Sequence, residues 1–377
     1  MAITAWSFPT RILFGNGAVS EVGPLAKSLG ARALLVTDPV VEKTAILGSV
    51  RRALDAAGVG HATFSGVHPN PIEQDIHDGL AAYRAAKADL VIAVGGGSPL
   101  DAAKLVRLLV THEPPLAQYD DAIGGDAKIV NPVPPMLAIP TTAGTGSEVG
   151  RSGVVTIAAT GRKTVIFAPS LLPTAAILDP ELTVGMPPQI TAATGFDALT
   201  HCLEAYLSLG DHPMADAIAL GGLELAVRNL ARATERGADL EARGAMMKAA
   251  MMGAVAFQKG LGACHSLAHP LSSEKGLHHG LANALCLPAV VEWNAEVVPD
   301  RIARVAAIFG APAVSELGAA LREFRADVGL PSGLRDVGVT EADLPKLADL
   351  AFDDACHRCN PRKATRDDLL ALYRASL

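Results

Sequence analysis

Aromatic residues make up only 4% of this 377-residue chain, with two tryptophans, while half of all residues are apolar. The apolar excess is therefore Ala, Leu and Val, a balance that suits a helix-rich α/β protein more than a β-sandwich. Positive charge is not in excess either: the formal net charge is -7, so no basic stripe awaits a phosphate backbone, and nucleic-acid binding would work against the field. No apolar run reaches the roughly 18 residues of a membrane-spanning helix. The N-terminus, MAITAWSFPTRILFG, lacks the basic start and apolar stretch of a secretory signal. Together these absences lead us to expect a cytoplasmic protein with a small-molecule substrate and with neither nucleic acid nor membrane as partner. Cysteine is sparse and odd in number: Cys202, Cys264, Cys286, Cys356 and Cys359. Without an export signal they read as reduced thiols, not a disulfide framework. The one CxxC, Cys356-His-Arg-Cys359, has no second Cys or His pair at zinc-site spacing and lies far from any early βαβ unit, so packing or pocket lining is its simplest role.

What is present is length enough for two hydrophobic cores, since single cores stop growing at roughly 250–300 residues. The chain changes character near residue 185. Before it, strand-length apolar runs (33–37, 89–94) alternate with helical patterns (44–57, 73–86, 101–110), which predicts a parallel sheet covered by helices. After Pro187-Pro188 the strand signals fade, and Ala/Leu/Met-rich helical segments follow at 190–208, 212–232, 239–257, 301–309, 314–327 and 366–375. No low-complexity tract or fixed-period repeat interrupts this order, so we expect one domain over 1–185 and an all-helical one over 186–377.

Three loops in the first half carry chemistry. Gly95-Gly-Gly-Ser-Pro-Leu-Asp101 follows a buried strand directly and precedes a helix, where glycines let the backbone approach an anion and the helix dipole attracts it. It departs from the GxGxxG fingerprint, and taken alone it reads equally well as a tight turn. Thr37-Asp38-Pro39 ends an earlier strand with a carboxylate able to accept from a ribose hydroxyl. Pro140-Thr-Thr-Ala-Gly-Thr-Gly-Ser147 ends another with hydroxyls and flexible glycines. Three such loops on one sheet edge suggest a dinucleotide.

In the second half, Asp197 and His201 lie four residues apart in GFDALTHCLEAY, and His265, His269, His278 and His279 crowd CHSLAHPLSSEKGLHHG. Residues i and i+4 share a helical face, so two such helices can close on one divalent ion. Spacing alone does not choose the ligands: His269 is as plausible as His265, and adjacent His278 and His279 do not both face one ion from a regular helix. One carboxylate with imidazoles suits Fe²⁺, Zn²⁺, Co²⁺ or Ni²⁺ about equally.

GGGSPLDAAK, PTTAGTGSEV, the run from Lys163 to DPELTVGMP, AATGFDALTHCLEAY, HSLAHPLSSEKGLHHGLANALCLP and CHRCNPR resemble, in order, the blocks of the iron-containing (group III) alcohol dehydrogenases. The resemblance covers nearly the whole chain. It implies the dehydroquinate synthase-like, iron alcohol dehydrogenase fold: a Rossmann-like parallel-sheet domain, a helical domain, a cleft holding NAD(P) and a metal, and a homodimer or larger homo-oligomer. It also implies a metal site of Asp197, His201, His265 and His279, with iron expected and zinc an alternative, and with His269 close by as a proton-relay or cofactor-contacting group. For the cofactor it implies Asp38 at the adenosine ribose, Gly96, Gly97 and Ser98 at the pyrophosphate, Thr141 and Thr142 around the adenine and phosphates, and Lys163 at the nicotinamide ribose. The expected chemistry is hydride transfer between nicotinamide C4 and a primary alcohol or aldehyde held at the metal.

For the substrate, the resemblance places Phe257 and Cys356 near the pocket. Lys259 falls in a stretch one residue shorter than in the short-chain diol and ethanol enzymes. A Lys259 facing the cleft would pair with an anionic tail and favour an ω-hydroxy acid or its semialdehyde; a solvated surface lysine is the alternative. Ser272-Ser-Glu-Lys275, where many relatives carry Gly and aromatics, speaks against simple ethanol specificity. Maleylacetate reductases share the fold but generally lack this metal set, and dehydroquinate synthase, a lyase on a related scaffold, uses another ligand pattern. A non-haem oxygenase with two His and a carboxylate has no need of three sheet-edge loops. A non-catalytic metal and nucleotide binder is the remaining rival.

A carboxylate at position 38 repels a 2′-phosphate at contact distance, where salt screens little, so NAD is expected over NADP. Asp38→Gly is predicted to relax that preference in steady-state kinetics; unchanged NADP kinetics would refute the assignment.

Overall fold

The computed structural model describes Phe8 and residues 10–377; most of the N-terminal stretch read above for a leader lies outside the described residues. The chain divides into two compact units, one of Phe8–Thr142 with Gly146–Thr183 and the other of Ala143–Thr145 with Val184–Leu377.

The first unit holds strands β1 (Arg11–Phe14), β2 (Arg32–Val36), β3 (Gly60–Phe64), β4 (Leu90–Gly95), β5 (Met136–Pro140), β6 (Ser152–Thr156), β7 (Lys163–Phe167) and β8 (Ala175–Leu178). Its helices are α1 (Val22–Leu29), α2 (Ala45–Ala57), α3 (Glu73–Ala86) and α4 (Gly97–Thr111). Six strands form one sheet in the order β1-β8-β5-β4-β2-β3, every pairing parallel. Because side chains alternate along a strand, the buried runs of β2 and β4 feed two cores. Leu34, Val36, Val91 and Ala93 pack with Ile76 and Leu80 of α3 and Leu105 of α4. Ala33, Leu35, Leu90, Ile92 and Val94 pack with Leu25 of α1 and Leu47, Val50 and Leu54 of α2. Helices thus cover both faces, as the unbroken apolar strand runs predict. Several features escape the sequence patterns, β1, α1 and β3 among them. The antiparallel pair β6–β7 is too short and polar to stand out, and α4 starts at Gly97, not 101, because β4 passes into it through Gly96 alone.

The second unit is helical: α5 (Pro188–Leu207), α6 (Pro213–Glu235), α7 (Leu240–Ala256), α8 (Ala263–Lys275), α9 (His279–Asn294), α10 (Pro299–Phe309), α11 (Leu317–Asp327), α12 (Leu344–Asp353) and α13 (Arg366–Ala375). Helix α5 is its axis, buried from Thr191 to Leu207 and packed against α6, α7 and α9. Such all-round burial requires small residues at the crossings. At Gly280 a Cβ would stand 1.9 Å from the Ala193 carbonyl oxygen and 3.1 Å from the Asp197 Cβ, so α9 approaches α5 backbone to backbone. Gly280→Ala is therefore expected to destabilise the protein by about 1–3 kcal/mol, the usual cost of overpacking. A thermal melt at the wild-type midpoint would show the contact to be looser than described.

Candidate active site residues

In the nucleotide-type unit, the three sheet-edge loops stand at the C-terminal ends of neighbouring strands, where parallel α/β sheets bind ligands. Thr37 Oγ1 donates to the Val94 carbonyl (2.7 Å), tying the ends of β2 and β4. The Thr141 N–H donates to the Gly95 carbonyl (2.9 Å), tying β4 and β5. Asp38 follows β2; its Oδ1 accepts from the N–H groups of Val40 (2.8 Å) and Val41 (2.9 Å), which leaves Oδ2 to meet an incoming hydroxyl. Gly96 caps α4 with no side-chain hydrogen bond, so the first-turn N–H groups and the positive end of the dipole are available to an anion. Gly97 and Ser98 open that turn, and Ser98 Oγ donates to the Pro69 carbonyl (2.6 Å). Thr142 lies beside Gly96, at 3.4 Å from the position of a Cβ there. Lys163 opens β7, half-buried; burial lowers its pKa against the pull of Asp101. Beneath the loops, buried Lys104 donates to Ser147 Oγ and the Ser152 carbonyl (2.7 Å each), and Ser147 Oγ donates to Asp101 (2.6 Å). These bonds pin α4 to the loop that follows β5.

In the helical unit, α5 carries Asp197 and His201 one turn apart, α8 carries His265, and α9 opens on His279. Three imidazole Nε2 atoms face one carboxylate oxygen, Asp197 Oδ1: His279 at 3.4 Å, His201 at 3.8 Å and His265 at 4.0 Å. These separations exceed a hydrogen bond. They approach the spacing of about 3–3.5 Å expected between ligands that each sit some 2.1 Å from a shared ion. The donor atoms of Asp197, His265 and His279 all lie within 4.8 Å of one another, and His201 joins through its approach to Asp197. Burial holds His265 and His279 well below the ordinary imidazole value. Burial opposes the charge on Asp197, yet the imidazoles of His201, His279 and His265 keep its carboxyl below its usual range. A carboxylate facing imidazoles is the kind of donor set a divalent cation requires. The residues fit a metal.

Three supporting residues escape the sequence reading. Glu204 Oε2 meets His265 Nδ1 at 2.6 Å; burial pushes the carboxyl up to about 7 against the backbone N–H groups that pull it down. Asn283 Nδ2 donates to Asp197 Oδ1 (2.9 Å). Asp354 Oδ2 accepts from His269 Nδ1 (2.8 Å), and its Oδ1 accepts from Ser266 Oγ (2.7 Å) and the Cys356 N–H (2.8 Å). Burial opposes the Asp354 charge, but His269 and these donors hold its carboxyl well below the usual range. Glu204 stands three residues beyond His201, and Asn283 four beyond His279, so helical periodicity marks both. Asp354 has no local signal.

His269 is turned to Asp354, its ring stacked on that of His279 at 5.2 Å, and His278 occupies the exposed position before α9. Phe257 sets its ring 5.0 Å from that of His201, and Cys356 shares a cluster with His269 and Asp354.

Lys259 requires correction. It is neither a free substrate anchor nor a solvated surface residue: its buried Nζ donates to the Tyr206 carbonyl (2.9 Å) and to Asp216 Oδ1 (2.5 Å). Arg301 pairs with the other Asp216 oxygen (2.7 Å) and lies 4.1 Å above the Tyr206 ring. Lys259→Met is predicted to cost about 1–3 kcal/mol, less than a fully buried pair because Arg301 remains on Asp216. It should leave the discrimination between carboxylate-bearing and neutral alcohols unchanged. A selectivity shift at unchanged melting temperature would return Lys259 to the substrate.

Comparison with known proteins places this geometry. The model of the iron-containing alcohol dehydrogenases matches residues 9–180, and that of the family's C-terminal domain matches residues 191–377. The 4-hydroxybutyrate dehydrogenase of Cupriavidus necator is 43% identical over 98% of each chain. A crystal structure of a 1,3-propanediol oxidoreductase superposes with a TM-score of 0.96 at 38% identity, covering 100% of each chain. The sulfoacetaldehyde reductase of Bifidobacterium kashiwanohense, solved in complex with NAD+, gives 0.88 at 28% identity, covering 100% of this chain and 99% of its own. On both its units, the chain belongs to the iron-containing alcohol dehydrogenase family.

Proposed function

We propose that this protein is a metal-dependent, NAD-linked alcohol dehydrogenase and aldehyde reductase acting on short primary alcohols, ω-hydroxy acids among them. The observation that carries the reading is the convergence of three imidazole Nε2 atoms on one buried carboxylate oxygen. A divalent ion bound there, with iron the family's expectation, supplies Lewis-acid polarisation of a hydroxyl or carbonyl oxygen, and a bound nicotinamide supplies hydride chemistry.

The chain's own residues do the rest. Asp197, His201, His265 and His279 would hold the ion. The uncapped first turn of α4, with Gly96, Gly97 and Ser98, would hold the pyrophosphate, while Asp38 Oδ2 takes the adenosine ribose, Thr141 and Thr142 border the nucleotide, and Lys163 reaches the nicotinamide ribose. His269 donates its Nδ1 proton to Asp354, which leaves Nε2 as the atom that takes up and returns a substrate proton. Phe257 and Cys356 line the substrate side.

The relative named for 4-hydroxybutyrate supports the ω-hydroxy acids; the one named for 1,3-propanediol supports neutral diols. With Lys259 committed to Asp216, the acid preference no longer has that residue as its anchor. No single helix among the described residues is long and apolar enough to cross a membrane. A cytoplasmic homo-oligomer is the arrangement we propose.

The test is NAD reduction by metal-stripped protein reconstituted anaerobically with Fe²⁺ or Zn²⁺, across primary alcohols, diols and ω-hydroxy acids. Turnover should return with metal, and His279→Ala should lower kcat/KM by about 100-fold or more, roughly 2.7 kcal/mol of transition-state stabilisation. Turnover indifferent to metal would instead identify a maleylacetate reductase-like enzyme.

A further inference from the structure

Helix α8 presents His265 and His269 but has no capping side chain of its own: Gly262 precedes it, without a side-chain hydrogen bond to the first turn. Its orphan donors are met from elsewhere in the chain. Glu204 Oε1 accepts from the Cys264 N–H (2.7 Å), and Oε2 accepts from Gly262 (3.1 Å) and His265 (3.3 Å). Asn360 Oδ1 accepts from Ala263 (3.2 Å). Gly262 has no room for a side chain, since a Cβ would lie 2.6 Å from Glu204 Oε1 and 2.9 Å from Asn360 Oδ1. The Glu204 carboxylate thus lies at the positive end of α8, and the same oxygen that accepts the His265 N–H also meets its ring Nδ1 at 2.6 Å.

We propose that Glu204 is a positioning residue for the metal site: it accepts the Nδ1 proton of His265, fixes that tautomer and leaves the Nε2 lone pair aimed at Asp197. This rests on the metal reading above. Three fixed backbone donors bind the carboxylate, so they set its orientation, and it in turn sets the plane of the imidazole. An outer partner of this kind determines both the direction and the basicity of a metal-binding histidine. Asn360 caps the same turn without touching an imidazole, which separates helix capping from ligand orientation.

The experiment measures binding of Co²⁺ and Zn²⁺ to the full-length metal-free protein by competition with a chromophoric chelator, together with the Co²⁺ absorption spectrum and thermal melts. Glu204→Gln keeps one oxygen for the backbone and removes the charge. It should bind both metals about 10- to 100-fold more weakly and shift the Co²⁺ bands. Asn360→Ala should lower the melting temperature and keep wild-type affinity and spectrum. Wild-type affinity and spectrum in Glu204→Gln, or an equal loss in Asn360→Ala, overturns the proposal. Where Glu204→Gln does not fold, the nitrogen-15 spectrum of zinc-loaded wild type decides: a proton on His265 Nδ1 supports the proposal, and one on Nε2 overturns it. If the wild type binds neither metal, the metal reading itself fails and this proposal falls with it.

Discussion

The helical unit is organised around one electrostatic imbalance. Asp197 is 3% exposed, and removing a carboxylate from water costs several kcal/mol unless a counter-charge or full hydrogen bonding replaces the solvent. Asn283 gives it one hydrogen bond. The other close groups are imidazoles that stop short of hydrogen bonds to it, two of them, His265 and His279, held well below the ordinary imidazole value by burial. A cation among them resolves the imbalance, because each lone pair and the carboxylate then act as ligands. Metal bound there would be coupled to the stability of the folded unit, since only the folded chain brings these donors together.

Helix α5 brings this about through its periodicity. Asp197, His201 and Glu204 recur at one-turn spacing on one helix, so a single element supplies two of the proposed ligands and the residue proposed to orient a third. The axis must be buried all round to present them, and the backbone approach of α9 at Gly280 delivers His279 beside Asp197. The nucleotide-type unit solves its own problem by other means. Its candidate anion site is built from backbone N–H groups and a helix dipole, with side chains such as Lys104 and Asp101 buried beneath to fix the loops. A site of this sort tolerates few side chains at its centre, which explains the glycines where β4 passes into α4.

Much of this was legible in the sequence. The parallel sheet followed from apolar runs such as 90–94, and the Asp197–His201 pair from its spacing. The choice of His265 and His279 over His269 did not: it depends on where α8 begins and on the turn before α9, both tertiary matters, and it came from the family resemblance. Glu204 was readable, seven residues beyond Asp197 on the same helical face, but a glutamate in an apolar helix carries no mark of what it caps. Lys259 and Asp354 lay beyond reach. Each takes its meaning from a partner far away in the chain, Asp216 for the first and His269 for the second, and local pattern does not encode such pairings. The short polar strands β6 and β7 failed for a related reason, since only pairing with each other defines them.

The other buried charges of the helical unit show why the Asp197 group stands apart. Lys259 has Asp216. Glu204 has three backbone N–H groups and an imidazole, and Asp354 has His269, Ser266 and a backbone N–H. Arg243 donates to the Gly237 carbonyl (2.8 Å) and to Thr191 Oγ1 (2.8 Å). Each of these groups is satisfied by the chain itself, as buried polar groups generally are. Around Asp197, by contrast, the nearest imidazole nitrogens stop short of hydrogen bonds to the carboxylate, and those of His265 and His279 share one donor, the Asn283 amide, at 3.5 and 3.3 Å. The carboxylate of Asp197 and the imidazoles of His265 and His279, their donor atoms within 4.8 Å of one another, form a group that an ion would complete.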